Sequence, residues 1–511
     1  MTTQLITNQL ATEYIADPLT VYYNLAKDHT NSLLLESAEI DSKDNLKSIL
    51  LLDACLRVEC NGLTVSVDAL NSNGLPALQF LNNKLAQHLK SQNNNHSEFV
   101  FTRPLHNLEE DQRLKSANPF EVLRSLLTIP TDNKPVFLGG VFGYDLVGVV
   151  EELPNVPDGE NSCPDYAFYL AETILVCDHQ TQTAELTSYS FCPEHAAKAK
   201  SSLENYHQAL SKLEDFHPEL APISQDDVKV DVSDEDFCQS VIALKENIRL
   251  GDIFQVVPSR TFSLPCKHAV AAYRKLKKQN PSPYMFYMRD QNFELFGASP
   301  ESSVKYTKAS NEVEIYPIAG TRRRGFNPDG TIDLDLDSRI EQELRSDHKE
   351  LSEHMMLVDL ARNDVARVSE PGSRYVCDLQ KVDRYSFVMH LVSRVKGQLR
   401  SDLDALHAYQ ACLNMGTLTG APKVKAAELI RLTEKKRRGS YGGAVGYLTS
   451  DGDMDTCIVI RSAFVKDGTA HVQAGAGVVY DSKPQAEADE TRNKAQAVLN
   501  AIISASTASE A

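Results

Sequence analysis

"VQAGAGVVYDSKPQAEADETRNKA", residues 472–495, opens as an apolar β-like run and breaks at Gly475-Ala476-Gly477. It then continues in helix-forming residues that carry Glu487 and Glu490. Glycine leaves the backbone N–H groups unhindered, so the break could receive an anion. No third glycine or helix follows at dinucleotide-binding spacing. The two glutamates, three residues apart, share one helix face. Strand, turn and helix in one stretch, with strands and helices interleaved irregularly elsewhere, predict an α/β (α+β) fold and no regular βαβ series.

Upstream, "KELSEH" places Glu350 and Glu353 on one helix face in the same way. Two helical carboxylate pairs could hold a hard divalent cation, or they could be solvated helix faces. His354 adds a di-iron alternative, although the spacing there is E-x-x-E-H. "EIYPIAGTRRRG", residues 314–325, is a strand that turns at Gly320 after the small Ala319 and then presents three arginines, read as solvated charge. "NMGTLTGAPKVKAAELI" lacks phosphate-loop spacing and leaves a Gly/Thr turn before a helix that carries Pro422 in its first turn. Arg461, in the apolar "DTCIVIRSAF", needs an anion, either a protein carboxylate or a ligand. His390, in "SFVMHLVS", is a buried hydrogen-bonding histidine or an acid–base group.

The chain has 511 residues, 42% of them apolar and 24% charged, which suits a globular protein with a large core. Its net charge of −18 argues against nucleic acid as partner. The ten cysteines show no pairing rhythm and are expected as free thiols in a reducing cytoplasm. No charged n-region precedes Lys27 and no apolar run is long enough to span a bilayer, so no secretion or membrane association is expected. The acidic, proline-containing "EDFHPELAPISQDDVKVDVSDE" separates residues 1–213 from 233–511, with 214–232 as linker. A capping pattern at Ser233 and Asp236 opens a helix with Phe237, Val241, Leu244 and Ile248 inward, ending at Gly251.

Taken together, "PIAGTRRRG", "KELSEHMMLVDLARND", "YSFVMHLVS", "TLTGAPKVKA", "YGGAVGY", "CIVIRSAF" and the opening stretch resemble, in order, the chorismate-utilising enzymes. The anthranilate synthase component I branch is the nearest in pattern. The resemblance implies two packed antiparallel β-sheets surrounded by helices, as one intertwined catalytic unit with an amino-terminal regulatory region. It implies that chorismate and ammonia give anthranilate and pyruvate with Mg²⁺, in tryptophan biosynthesis. By the same match Glu350, Glu353, Glu487 and Glu490 are metal ligands, and His390 and Thr321 are catalytic. Gly320, Thr321, Thr417, Tyr441, Arg461, Gly475, Ala476 and Gly477 bind substrate.

Lysines that related enzymes carry at the positions of Ala319 and Gln255 are absent, so the nucleophile must be an external amine. No cysteine sits in a glycine-flanked elbow, so a glutamine amidotransferase is expected as a separate partner, and the resemblance implies a heterotetramer. The resemblance also places tryptophan, as feedback inhibitor, at Ser37 of "LLLESA" and at Pro283, Tyr284 and Met285 of "NPSPYM". Aminodeoxychorismate synthesis, opposed by Ala319, and a silent tryptophan-sensing subunit are the competing readings.

Overall fold

The computed structural model describes residues 5–37, 46–104, 107–131, 134–214, 222–385 and 387–507. Its centre is a mixed α/β assembly around a large antiparallel strand network. The longest ladder joins Lys47–Asn61 to Tyr166–Asp178, with register shifts around Asp53. From its first strand one branch runs through Ser32–Glu36, Tyr284–Arg289, Glu294–Ser299, Ser462–Lys466, Thr469–Gly475 and Ser259–Pro265. From its second strand another runs through Phe137–Phe142, Ala444–Thr449, Met454–Ile458, Ser302–Thr307, Glu312–Ile315 and Val388–Gln398. Both branches therefore mix chain from before residue 213 with chain from after residue 233. Of the expected linker, residues 215–221 lie outside the described residues.

Two crossings between the branches decide where chemistry can sit. Strands Glu294–Ser299 and Ser302–Thr307 are separated by Pro300 and Glu301 alone, and proline cannot continue a ladder. Strands Met454–Ile458 and Ser462–Lys466 are separated by Val459, Ile460 and Arg461, with Arg461 in the left-handed region at φ 48°. The crossings are bonded to each other, Ile458 N donating to Glu301 O at 3.0 Å and Ala298 N to Arg461 O at 3.1 Å. Each bend turns a polar side chain out of an otherwise apolar sheet.

The helices follow from local signals. Ser233 Oγ accepts from Asp236 N at 3.1 Å and caps Asp234–Leu250, which buries Phe237, Val241 and Leu244 and stops at the left-handed Gly251. Asp347 Oδ1 accepts from Lys349 N and Glu350 N at 3.0 and 3.2 Å and caps His348–Ala366. That helix seats Leu357, Val358, Ala361 and Val365 in the core. Pro484 opens the helix Pro484–Thr507, whose Ala488, Ala495, Val498, Leu499 and Ile502 are buried. These last two helices flank the strand ends and carry the four glutamates.

Candidate active site

A cavity of about 830 Å³ opens between those helices and the two crossings. Its floor includes strand Ile318–Arg323, paired to Val388–Gln398 with Thr321 opposite His390. The register shifts between Ala319 and Thr321, and Gly320 sits in that irregularity at φ 70°. A Cβ there would lie 2.9 Å from Leu344 Cδ1 and 3.2 Å from Glu350 Oε2, so only glycine lets this strand pass under the helix. Ala319 faces the same cavity. Thr321 Oγ1 lies 2.9 Å from His390 Nδ1. Burial, with help from the Arg461 charge, depresses the His390 pKa to about 4, so the imidazole is neutral at physiological pH.

Thr417, Tyr441, Arg461, Gly475 and Gly477 also line the cavity. Among the described residues no carboxylate forms an ion pair with Arg461, whereas Arg437 and Arg438 both have one. Burial lowers the Arg461 pKa, while Tyr441, Glu490 and Glu301 pull it back up. Of the two anions open to it on sequence grounds, the protein carboxylate is not found. Gly475 and Gly477 are constrained by contact: a Cβ would lie 2.8 Å from Pro258 O in one case and 2.7 Å from Gln255 Nε2 in the other. Ala476 departs from the expected set. It is fully buried, outside the cavity lining, and its N–H donates to Pro258 O at 3.1 Å.

The glutamates divide. Glu350, Glu353 and Glu490 line the cavity, whereas Glu487 is buried beside it. Each lining carboxylate has a protein partner: Glu350 with Arg322 Nη1 at 3.1 Å, Glu353 with Gln255 Nε2 at 2.8 Å, Glu490 with Lys494 Nζ at 2.7 Å. Burial raises the Glu353 pKa, the Gln255 bond opposes it, and the Glu350 and Glu490 charges raise it further. Among the described residues no three His, Cys, Asp or Glu side chains converge into a metal-ligand cluster. The donor set nonetheless fits a hard cation, because like charges gathered in a half-buried wall favour a divalent counter-charge. His354 is turned away, fully buried with Nε2 2.6 Å from Ser393 Oγ.

Two lining residues lacked a sequence signal. Glu301, at the first crossing, accepts from Thr417 Oγ1 at 3.1 Å, and burial pushes its carboxyl up to about 8. Lys494 donates to Gly475 O at 3.0 Å besides its pair with Glu490. Two further expectations need correction. Arg322 and Arg324 are not free solvated charges: Arg322 bridges Asp347 and Glu350, and Arg324 grips the buried Asp337. Strand alternation sends both to one side and leaves Arg323 toward the cavity. Pro422 is not in the helix's first turn but precedes Lys423–Glu434, and Lys423 points away from the cavity to Asp364.

At the other side of the fold, Met285 pairs with Glu36, so Ser37 follows directly beside Tyr284 and Met285. Beneath them Glu36 is buried and accepts from Tyr273 Oη at 2.5 Å and Lys277 Nζ at 2.6 Å.

Comparison with known proteins now adds identity. The chorismate binding enzyme family model matches residues 79–500. Anthranilate synthase component 1 of Escherichia coli is 54% identical over 520 residues, covering 100% of both chains. The Vibrio parahaemolyticus protein of that name is 56% identical, covering 96% of this chain and 92% of its own. This chain belongs to the anthranilate synthase component I family of chorismate-binding enzymes. The crystal structure of anthranilate synthase component I from Streptococcus pneumoniae superposes with a TM-score of 0.67 at 30% identity, over 90% of this chain and 94% of that one. The isochorismate synthase MenF of Escherichia coli shares the fold at 18% identity and TM-score 0.67, over 98% of this chain and 94% of its own. Among the described residues no helix is long and apolar enough to cross a membrane.

Proposed function

We propose that this component I chain converts chorismate and ammonia to anthranilate and pyruvate in the cytoplasm, for tryptophan biosynthesis. The observation that carries the reading is the cavity's polarity: Arg461, with no ion-pair partner among the described residues, shares one cavity with the glutamates of two helices. Chorismate is a dicarboxylate, and each carboxylate needs a cation. Arg461, Tyr441 and the backbone at Gly475 and Gly477, with Thr417 nearby, would take the enolpyruvyl carboxylate. Mg²⁺, held by Glu353 and Glu490 with Glu350 and Glu487 assisting, would neutralise the ring carboxylate and draw electron density from the ring.

Within that frame the chain's own groups orient and move protons. Ammonia attacks ring C2 as the C4 hydroxyl departs, so the hydroxyl must gain a proton to leave as water. Glu301, with its carboxyl raised to about 8, is protonated at neutral pH and can donate it. The neutral His390, hydrogen-bonded to Thr321, would orient the hydroxyl as a neutral donor instead of acting as a strong acid. Gly320 admits the ring close to the backbone. Ala319 leaves room for an external nucleophile where a lysine would compete.

The ammonia is supplied from glutamine by a separate amidotransferase subunit. Residues 1–213, joined through 214–232 to the catalytic 233–511, would form the regulatory part of a unit built on two packed antiparallel sheets. Tryptophan would bind at Ser37, Pro283, Tyr284 and Met285, which the strand pairing supports. Purified chain incubated with chorismate, ammonia and Mg²⁺ should produce blue-fluorescent anthranilate. Aminodeoxychorismate, or no turnover, would overturn the reading in favour of C4 amination or a silent sensing subunit.

A further inference from the structure

Behind the Tyr441 wall lies an ion pair that the chemistry above does not use. Arg438 is 1% exposed and Glu434, one helical turn earlier in sequence, has a side chain 4% exposed. Arg438 Nε donates to Glu434 Oε2 at 2.9 Å and Nη2 to Glu434 Oε1 at 2.5 Å. Its remaining donors leave the pair: Nη1 reaches Leu418 O at 2.8 Å and Nη2 reaches Val257 O at 2.6 Å. Arg438 Cζ lies 4.7 Å from the Tyr144 ring centre and 5.5 Å from that of Tyr441. Glu434 Oε1 in turn accepts from Ser259 N and Ser259 Oγ, both at 2.8 Å, and Ser259 Oγ accepts from Gln473 Nε2 at 2.8 Å.

Every group gripped from behind belongs to the cavity wall or adjoins it. Val257, Leu418, Tyr441 and Gln473 line the cavity, although neither Glu434 nor Arg438 does. These residues come from four separate segments; the strands Ser259–Pro265 and Thr469–Gly475 are paired in one ladder, and Val257, Leu418 and Tyr441 lie outside it. The 257–259 and 416–419 segments are already joined by the Val256–Gly420 pairing and by Val257 N donating to Thr419 O at 3.1 Å, and the arginine fork, whose geometry is fixed, ties that joint to Glu434 through the Val257 and Leu418 carbonyls. A cation–π contact with Tyr441 adds a third constraint. A buried ion pair is costly to desolvate and is often replaceable by apolar side chains without loss of stability. Its value here is the geometry it imposes.

We propose that the Glu434–Arg438 pair positions the wall that receives the substrate's enolpyruvyl carboxylate, so that it governs binding of a dicarboxylate ligand without touching it. The inference rests on the assignment of this cavity to chorismate. The test compares Arg438→Lys and Glu434→Gln with wild type and with Arg57→Lys, an arginine 3% exposed and paired with Asp290 away from the cavity. Chorismate KM, kcat and melting temperature are measured with ammonia as nitrogen donor.

Arg438→Lys and Glu434→Gln should raise KM roughly tenfold or more, with kcat of the folded protein changed by less than about threefold. Arg57→Lys should lower the melting temperature and leave KM within about twofold of wild type. Unchanged KM in both pair variants, or an equal KM rise in Arg57→Lys, would overturn the proposal. Failure of both variants to fold would also overturn it, making the pair a folding element. Wild type without chorismate turnover would instead remove the cavity assignment on which the inference rests.

Discussion

Glu301 Oε1 accepts a hydrogen bond from Thr417 Oγ1 at 3.1 Å, which holds the one cavity carboxyl placed at a crossing between the two strand branches. Burial dominates its environment and favours the neutral acid, with a pKa of about 8. As a proton donor it is competent below that value. The kcat/KM of wild type should fall as pH rises through about 8. Glu301→Gln should lose roughly a hundredfold or more in kcat and lack that alkaline limb. The folded-state pKa lies above the ordinary carboxyl value of 4.5, so the neutral group's contribution to stability is complete below 4.5 and is lost as pH rises toward 8. Melting temperature across that window should decline less steeply in Glu301→Gln. An unchanged alkaline limb in the variant would assign the proton to another group.

Glu353→Gln and Glu490→Gln should each reduce turnover to near background, because a hard cation loses an anionic oxygen ligand. Mg²⁺ titration by calorimetry should show weakened binding in both variants. Near-normal activity at modest Mg²⁺ would return the acids to the role of solvated helix faces. Glu350→Gln should be milder, since Arg322 already shares that carboxylate.

Much of this site is legible in the sequence where helical spacing carries the signal. Glu350 and Glu353, three residues apart in helix-forming text, do share the cavity face of His348–Ala366. At the second pair Glu490 lines the cavity, and Glu487 is buried and outside the lining. Glu301 was hidden in the sequence. In "GASPESS" it looks like a turn glutamate, and only the long-range pairing of Glu294–Ser299 and Ser302–Thr307 to distant strands buries it. The arginine run misleads similarly, since Asp337 and Asp347, which take up two of its charges, come from a later segment. Strand register over long sequence separation is what no local pattern encodes.

Ser37 and Met285 should uncouple regulation from chemistry. Neither residue lines the reaction cavity; Met285 lies in the ladder joining Ser32–Glu36 to Tyr284–Arg289, and Ser37 directly follows that ladder. Tryptophan can inhibit only by binding one conformational state more tightly than another. Ser37→Ala and Met285→Thr should therefore raise the tryptophan concentration needed for half inhibition roughly tenfold, about 1.4 kcal/mol of lost preference, with uninhibited turnover largely intact. Tryptophan inhibition unchanged in both would place the effector site elsewhere.

Arg461→Lys should keep the positive charge and still fail as a replacement. Arg461 occupies the second crossing at φ 48°, so its side chain leaves the sheet toward the cavity, where no protein carboxylate forms an ion pair with it among the described residues. A planar fork can hold a carboxylate through two parallel bonds, whereas lysine offers a point charge on a flexible stem. Losing one charge-assisted bidentate pair costs roughly 1.5–3 kcal/mol, about a ten- to hundredfold fall in kcat/KM. An arginine with a purely structural role predicts the reverse pattern: a lower melting temperature, and activity lost only in proportion to unfolded protein. Both quantities measured on one preparation separate these cases. Intact chorismate kinetics with a reduced melting temperature would remove Arg461 from the carboxylate clamp, and with it the polarity argument for a dicarboxylate substrate.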